Sequence, residues 1–279
     1  MKIDGRALAQ DLNLHTQARI NKLSSRPLLV DIVVGADPAS LSYVGIKQRT
    51  AKKFGMDFEA VELPEQSSTE QVITKIQEIS ARPELCGLIV QVPLPKHLDQ
   101  QAILDSIPIA VDVDLLNQES AKKFYNTNSS TLKDSLIPPT AAAILYILDS
   151  LSEDWKSKKF LVVGRGELVG KPVAFLLKQR GLNVEVAHTQ TTNTEELLQT
   201  SDVIISGVGK SGFITGDKIK DGVIIIDAGT SEANGTIAGD VDFISCELKA
   251  KYITPVPGGV GPLTVAKLLE NVLIVAENK

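Results

Sequence analysis

Short apolar runs recur along this chain, and between them lie longer stretches in which apolar positions return every three or four residues. An unbroken or alternating apolar run marks a strand, and a return at helical spacing marks a helix. Residues 5–23 read as a helix, and LLVDIVV over 28–34 as a first strand. A helix over 40–54, a strand over 58–63, a helix over 69–81, a strand over 87–92 (GLIVQV) and a helix over 98–107 follow. Strands this apolar, bounded by Pro and Gly and separated by helices, are what a parallel sheet covered on both faces requires.

The pattern lapses over 117–135 (NQESAKKFYNTNSSTLKDS), which is polar and reads as a loop. A domain boundary is placed here. An apolar helix over 140–151 follows, and the alternation restarts with a strand at 160–163, a helix at 170–180 and a strand at 183–187. A helix at 194–200 and strands at 203–206 and 223–227 come next, and the segment closes with 252–254 and the loop PVPGGVGP. A last helix over 263–277 is apolar on most sides, which marks it as buried. The fold class expected is α/β, with two domains.

Composition narrows the function classes. The chain has 279 residues, 43% hydrophobic and 23% charged, enough to bury a real core. A net charge of -5 and the lack of a basic tract argue against binding by phosphate neutralisation, so no nucleic-acid partner is expected. The two cysteines, Cys86 and Cys246, have no CxxC spacing, and the three histidines, His15, His97 and His188, form no HExxH pair, so no metal is expected. The N-terminus turns polar within a few residues and no apolar run approaches the ~20 residues of a membrane helix, so a cytoplasmic protein is expected.

The sharpest motif is FLVVGRGELVGKP, from Phe160 to Pro172. Gly164, Gly166 and Gly170 form GxGxxxG between a strand and a helix, where a tight turn and free helix N–H groups receive a pyrophosphate. Such a turn can exist without a ligand, but the strand before, the helix after and a second strand about twenty residues on favour a dinucleotide. An NAD site carries an acid at the tip of that second strand; here the tip is His188-Thr189-Gln190. Arg165, inside the turn, can pair with a 2′-phosphate, which favours NADP; the competing reading is a solvated surface arginine. Glu167 shares the turn and has to point away from phosphates.

A second constellation lies in the N-terminal half. Tyr43 and Lys47 are four apart and share a helical face, offering a flat ring and a proton-carrying amine, although such a pair is also common on amphipathic helices. Gln91 interrupts the apolar strand before Pro93 and Pro95, at the carboxyl end where parallel sheets build sites; a Gln satisfied by backbone groups is the bland alternative. Asp112 and Asp114 in VDVD point the same way if extended, or form a capping pair.

Together SYVGIK, GLIVQVPLP, VDVD, VVGRGELVG, IIIDAGT, GDVDF and TPVPGGVGPLT resemble, in order and over nearly the whole chain, the bifunctional methylenetetrahydrofolate dehydrogenase/methenyltetrahydrofolate cyclohydrolase family. The resemblance implies an N-terminal folate-binding domain over 1–119, completed by the C-terminal helix 262–279. It implies a Rossmann-type NAD(P)-binding domain over 120–261, a cleft between the two, and a homodimer. Lys47 matches the catalytic lysine, Gln91 the residue that orients it, Asp114 the pterin-bonding aspartate and Tyr43 the ring that packs on folate. Pro257, Gly258 and Gly259 match the folate-contacting loop. Gly164, Arg165, Gly166, Gly170, His188, Thr189, Thr230 and Thr264 match cofactor positions. The family's Gly after VDVD is Leu115 here, Ala110 and Val111 replace a lysine typical before it, and Pro139-Thr140-Ala141 stands where Cys-Thr-Pro is usual.

The chemistry implied is hydride transfer from 5,10-methylenetetrahydrofolate to NADP, then hydrolysis of the methenyl cation to 10-formyltetrahydrofolate. The first step needs donor and acceptor held close; the second needs proton traffic, for which a lysine serves if its surroundings bring its proton affinity toward neutrality. The readings left open are a silent folate- or nucleotide-binding relative and a monofunctional NAD-linked dehydrogenase of the same fold. An unrelated Rossmann dehydrogenase is disfavoured by PVPGGVGP.

Overall fold

The computed structural model describes residues 1–35, 38–128, 135–233 and 236–279. Part of the expected polar loop, 129–134, lies outside the described residues. The elements in chain order are α1 (Gly5–Ile20), β1 (Leu28–Val34), α2 (Pro38–Phe54), β2 (Asp57–Leu63), α3 (Thr69–Ser80), β3 (Leu85–Val90), α4 (Gln100–Asp105) and α5 (Gln118–Tyr125). After them come α6 (Pro139–Ser150), β4 (Lys159–Val163), α7 (Gly170–Gln179), β5 (Asn183–Ala187), α8 (Thr194–Thr200), β6 (Val203–Ser206) and β7 (Ile224–Asp227). The chain closes with β8 (Ser231–Ala233), β9 (Thr236–Ala238), α9 (Phe243–Glu247), β10 (Tyr252–Ile253) and α10 (Val260–Glu277). Among the described residues no helix is long and apolar enough to cross a membrane.

The chain divides into two compact units. One, called here the N-unit, is Asp11–Pro138 with Val265–Lys279; the other, the C-unit, is Met1–Gln10 with Pro139–Thr264. The two unit boundaries at the chain's ends therefore fall inside α1 and α10.

The N-unit is built on a parallel sheet of order β2-β1-β3. Strand periodicity sends Val30 and Ile32 of β1, with Leu88 and Val90 of β3, to a layer with Val72 and Ile76 of α3 and Ile103 of α4. Leu29 and Ile89 point the other way, into a layer with Ala51 and Phe54 of α2 and with Leu268, Leu269, Val272 and Leu273 of α10. Gly87 is required in that second layer: a Cβ there would stand 2.8 Å from Val272 Cγ2 and 3.0 Å from Leu29 Cδ1. The C-unit carries a five-stranded parallel sheet, order β10-β7-β6-β4-β5, and an antiparallel β8-β9 pair.

Four segments differ from the sequence expectation. The stretch after Asn117 is a helix, α5, because Asn117 caps it: its Oδ1 accepts from the Glu119 N–H at 2.7 Å, and its Nδ2 donates to the Asp105 and Ile107 carbonyls at 3.0 Å each. Strand β3 runs from Leu85 to Val90, so Gln91 follows the strand rather than interrupting it, although its N–H still donates to the Ile32 carbonyl at 2.8 Å. Helix α9 and the β8-β9 hairpin, too short to show a period, were not expected.

Candidate active site

The N-unit brings three polar side chains into one apolar layer. On α2, Lys47 precedes Ala51 by four and Phe54 by seven, so it shares their buried face. Asp31 lies two residues from Leu29 on β1, and Gln91 two from Ile89, so both turn to that same layer. Lys47 is 7% exposed and Asp31 0%. The Lys47 amine donates to Gln91 Oε1 at 2.9 Å and stands 2.6 Å from Asp31 Oδ2. Gln91 Nε2 donates to the Val92 carbonyl at 3.0 Å, which fixes the amide with its oxygen toward the amine. Neither Asp31 oxygen has another polar partner among the described residues. Burial raises the Asp31 carboxyl above its ordinary range, and the Lys47 charge opposes that rise. Burial also pushes up the phenol of Tyr43, one turn before Lys47.

The segment after Val111 lies beside β3, where the Leu88 N–H donates to the Val111 carbonyl at 2.8 Å. Asn271 of α10 holds it from the other side, donating to the Val113 carbonyl at 2.8 Å and the Ile137 carbonyl at 2.9 Å. Asp112 and Asp114 do not act as a matched pair. Asp112 is fully buried and accepts the N–H groups of Leu116 and Asn117 at 3.3 and 3.0 Å, the capping alternative. Asp114 is partly exposed and feels charge rather than caps. Burial pushes its carboxyl up to about 6, with Lys47 pulling down and Asp112 and Asp31 pushing up. Leu115 adopts a φ of 57°, the left-handed region that favours glycine. Its side chain is 7% exposed. A left-handed residue costs about 1–2 kcal/mol, which burying a leucine offsets.

In the C-unit, Gly164 has φ 104°, and a Cβ on it would stand 2.9 Å from the Gly207 carbonyl oxygen. A Cβ on Gly170 would stand 2.0 Å from the Gly164 carbonyl oxygen, so the turn closes only on glycine. The space over Gly166 is open. Helix α7 starts after Val169 with no side-chain cap, leaving its N-terminus able to receive an anion. Arg165 is exposed and has no hydrogen-bond or ion-pair partner among the described residues. Glu167 is turned to Lys171, whose amine reaches it at 2.9 and 3.0 Å. After β5, the His188 N–H donates to Thr191 Oγ1 at 3.0 Å and His188 Nδ1 accepts from the Gln190 N–H at 3.3 Å, which leaves Thr189 exposed. The residues therefore fit a dinucleotide phosphate.

Two buried aspartates that sequence reasoning left without a role organise the loops after β6 and β7. Asp227 accepts the N–H groups of Gly229, Asp240 and Val241 at 2.9, 3.1 and 3.0 Å. Asp240 accepts from Ser206 Oγ and the Val208 N–H at 2.7 Å each and from the Lys210 N–H at 2.8 Å. Thr230 follows on this scaffold, exposed. Thr254 Oγ1 accepts the Asp227 N–H at 2.7 Å, and the loop continues through exposed Pro257 to Gly258, whose carbonyl accepts the Gly5 N–H at 3.1 Å, and buried Gly259. Thr264, at the start of the second turn of α10, donates to the Val260 carbonyl at 3.3 Å. The Val92–Pro93 and Val256–Pro257 bonds are cis.

Burial pushes Asp227, like Asp114, up from 3.8 to about 6. A carboxyl raised on folding stabilises the folded state fully below its unfolded value, and that contribution is lost as pH rises through its folded value. Asp31 and Asp112 are raised as well. The carboxyls held low, Glu70, Glu84, Asp202 and Asp217, lose their contribution only at more acid pH. The urea midpoint will therefore rise between about pH 7.5 and about pH 5.5. A midpoint that falls over that interval contradicts the assignment.

Lys47, Gln91, Asp114 and Tyr43 thus belong to the N-unit, and the glycine turn, Arg165, His188, Thr189, Thr230, Pro257, Gly258, Gly259 and Thr264 to the C-unit. Asp31 was missed, although a lone charge in LLVDIVV was a visible signal.

The model of the family described as tetrahydrofolate dehydrogenase/cyclohydrolase, catalytic domain, matches residues 3–114. The model described as tetrahydrofolate dehydrogenase/cyclohydrolase, NAD(P)-binding domain, matches residues 138–279. A protein named Bifunctional protein FolD from Wolbachia sp. subsp. Drosophila simulans (strain wRi) is 37% identical over 279 residues, covering 98% of this chain and 94% of its own. The crystal structure of the bifunctional enzyme FolD, methylenetetrahydrofolate dehydrogenase/cyclohydrolase, from Campylobacter jejuni superposes with TM-score 0.92 at 32% identity, covering 100% of this chain and 99% of its own. The Trypanosoma brucei N5,N10-methylenetetrahydrofolate dehydrogenase-cyclohydrolase, complexed with NADP cofactor and inhibitor, superposes with TM-score 0.92 at 31% identity, covering 100% and 97%.

Proposed function

The chain belongs to the tetrahydrofolate dehydrogenase/cyclohydrolase family, and from that premise we propose which of its residues carry the work. It is an enzyme of one-carbon metabolism with two activities. It oxidises 5,10-methylenetetrahydrofolate to 5,10-methenyltetrahydrofolate with NADP, and it hydrolyses the product to 10-formyltetrahydrofolate.

Our assignment gives NADP to the C-unit and most of the folate contacts to the N-unit. When bound, NADP supplies the hydride acceptor. The turn of Gly164, Gly166 and Gly170 and the α7 N-terminus hold its pyrophosphate, Arg165, His188 and Thr189 its adenosine end, and Thr230 and Thr264 its nicotinamide end. Tyr43 gives the folate ring a flat face, and Asp114 accepts a pterin N–H. Pro257, Gly258 and Gly259 are assigned to folate contact on the resemblance of their loop alone. Lys47 moves the protons of hydrolysis, taking one from the attacking water and returning one to the departing nitrogen, while the water's second proton leaves to solvent as the formyl C=O forms. Gln91 orients the amine, since its oxygen is already turned to it. The observation that carries this assignment is the buried Lys47 amine held by Gln91 at 2.9 Å. Its test is an absorbance assay with methylenetetrahydrofolate and NADP that follows methenyl appearance and decay; absence of either phase removes the corresponding role.

Arg165→Ala will weaken NADP binding about 10- to 100-fold, the range of a lost charged hydrogen bond, and leave NAD nearly unchanged. Kd values for both cofactors check this, and equal loss for both means that Arg165 does not read the 2′-phosphate. Leu115→Gly will relieve the left-handed backbone but forfeit a buried side chain worth about 2–5 kcal/mol, so the melting midpoint will fall. The folate KM will shift with it, because Leu115 adjoins Asp114, and the NADP KM will not; the reverse pattern contradicts the assignment of this segment.

We also infer a cytoplasmic homodimer. The family resemblance supports the dimer, and the buried, unpaired Cys86 and Cys246 support a reducing compartment. Light scattering at assay concentration tests the dimer.

A further inference from the structure

We propose that Asp31 is a positioning residue for Lys47: its carboxylate holds the amine against the Gln91 oxygen and sets the pH range in which that amine gives or takes a proton. The proposal rests on the reading that Lys47 serves hydrolysis.

The position is costly for a carboxylate. Asp31 lies between Val30 and Ile32 in a strand buried along its whole length, where an aliphatic residue would complete the layer. The other buried aspartates serve the fold. Asp112, Asp227 and Asp240 each accept two or more backbone N–H groups or a hydroxyl, and loops take shape around them. Asp31 accepts no backbone group; its contact is the Lys47 amine at 2.6 Å. A buried ion pair of this kind is weak evidence for stability, since a well-packed apolar pair is often as stable or more so. What the carboxylate does supply is a second anchor for the amine. With Gln91 on one side and Asp31 on the other, a flexible four-carbon stem is held to one place.

It also supplies charge. The groups facing the amine are Asp31 from β1, neutral Gln91 after β3, and Asp114, with Asp112 beside it, from the segment beside β3, while Tyr43 lies one helical turn earlier on α2. Helix α10 contributes apolar residues to the layer. Asp31 pushes the Asp114 carboxyl up, so its removal lowers Asp114. An amine that loses an adjacent anion gives up its proton more readily. Both changes have the same sign, so the whole pH profile moves to lower pH.

The experiment compares wild type with Asp31→Asn and with Asp31→Val, the second matching its apolar neighbours and guarding against a misfolded amide. The first readout is the pH–rate profile of methenyltetrahydrofolate hydrolysis, expected to move down by about one pH unit or more in both variants, with the NADP KM unchanged. The second needs no turnover: in protein carrying 13Cε-labelled lysine, the resonance absent from Lys47→Gln should titrate lower by a comparable amount in both variants. Unchanged titration of that resonance overturns the proposal. Loss of folding in both variants also overturns it, because the carboxylate is then structural. If the resonance moves but wild type hydrolyses no folate, the functional reading fails and the Asp31–Lys47 coupling stands.

Discussion

Lys47→Gln will lower hydrolysis of methenyltetrahydrofolate by about 10²–10⁴-fold and leave the dehydrogenase step far less affected. Hydride leaves the methylene carbon without a protein base, so Lys47 acts in that step by positioning. Water attacking the methenyl carbon has to lose a proton and the departing nitrogen has to gain one, and an amine is the group that does both. Glutamine can still donate to Gln91, but it cannot titrate. It also leaves Asp31 buried without its counter-charge. That carboxyl, already raised by burial, relieves the loss by taking up a proton, so the chain stays folded at reduced stability. Methenyltetrahydrofolate will therefore accumulate during turnover with NADP. The measurement is the ratio of the two rates in one preparation, with circular dichroism confirming the fold. Equal loss of both rates would make Lys47 a binding or structural residue, and loss of neither would remove it from the mechanism.

Gly170→Ala will do the opposite, lowering the dehydrogenase by about 100-fold or more while hydrolysis of supplied methenyltetrahydrofolate persists. The added Cβ would stand 2.0 Å from the Gly164 carbonyl oxygen and 3.0 Å from the Arg165 Cα. These are backbone atoms, so the methyl group fits only if the turn opens, and an opened turn no longer aims the α7 N-terminus at a pyrophosphate. Lys47, Asp31 and Gln91 belong to the other unit and keep their hydrogen bonds. NADP titration and the two assays check this. Retained NADP affinity would show that the glycine turn does not hold the cofactor, and loss of hydrolysis to the same extent would show that the units are not separable in function. The two variants thus remove one activity each.

The alternation of apolar strands and helices was legible because burial imposes its period on the chain. LLVDIVV, FLVV and NVEVA are strands within a residue of where their patterns begin and end, and α10 is buried as its apolar surface required. The glycine turn was legible for a related reason: a close backbone approach admits one residue type, and that requirement is written locally. Lys47 and Gln91 could be named from motifs, but as partners only through the family resemblance, because their meeting depends on how α2 lies on the sheet. Helix α5 escaped notice because a polar helix this short depends on the Asn117 cap and its tie to Asp105 and Ile107, which no local period records. Leu115 stood out as a departure from glycine, yet only the backbone showed that leucine takes the left-handed turn itself.

Asp31 marks the division most sharply. Its charge is plain in the sequence, and strand alternation puts it on the face of Leu29. Whether that face meets solvent, a backbone amide or an amine depends on which helix covers it and in what register. Those are settled only when residues far apart in the chain pack together, because an electrostatic partner is chosen by distance in space and a hydrophobic period by distance along the chain.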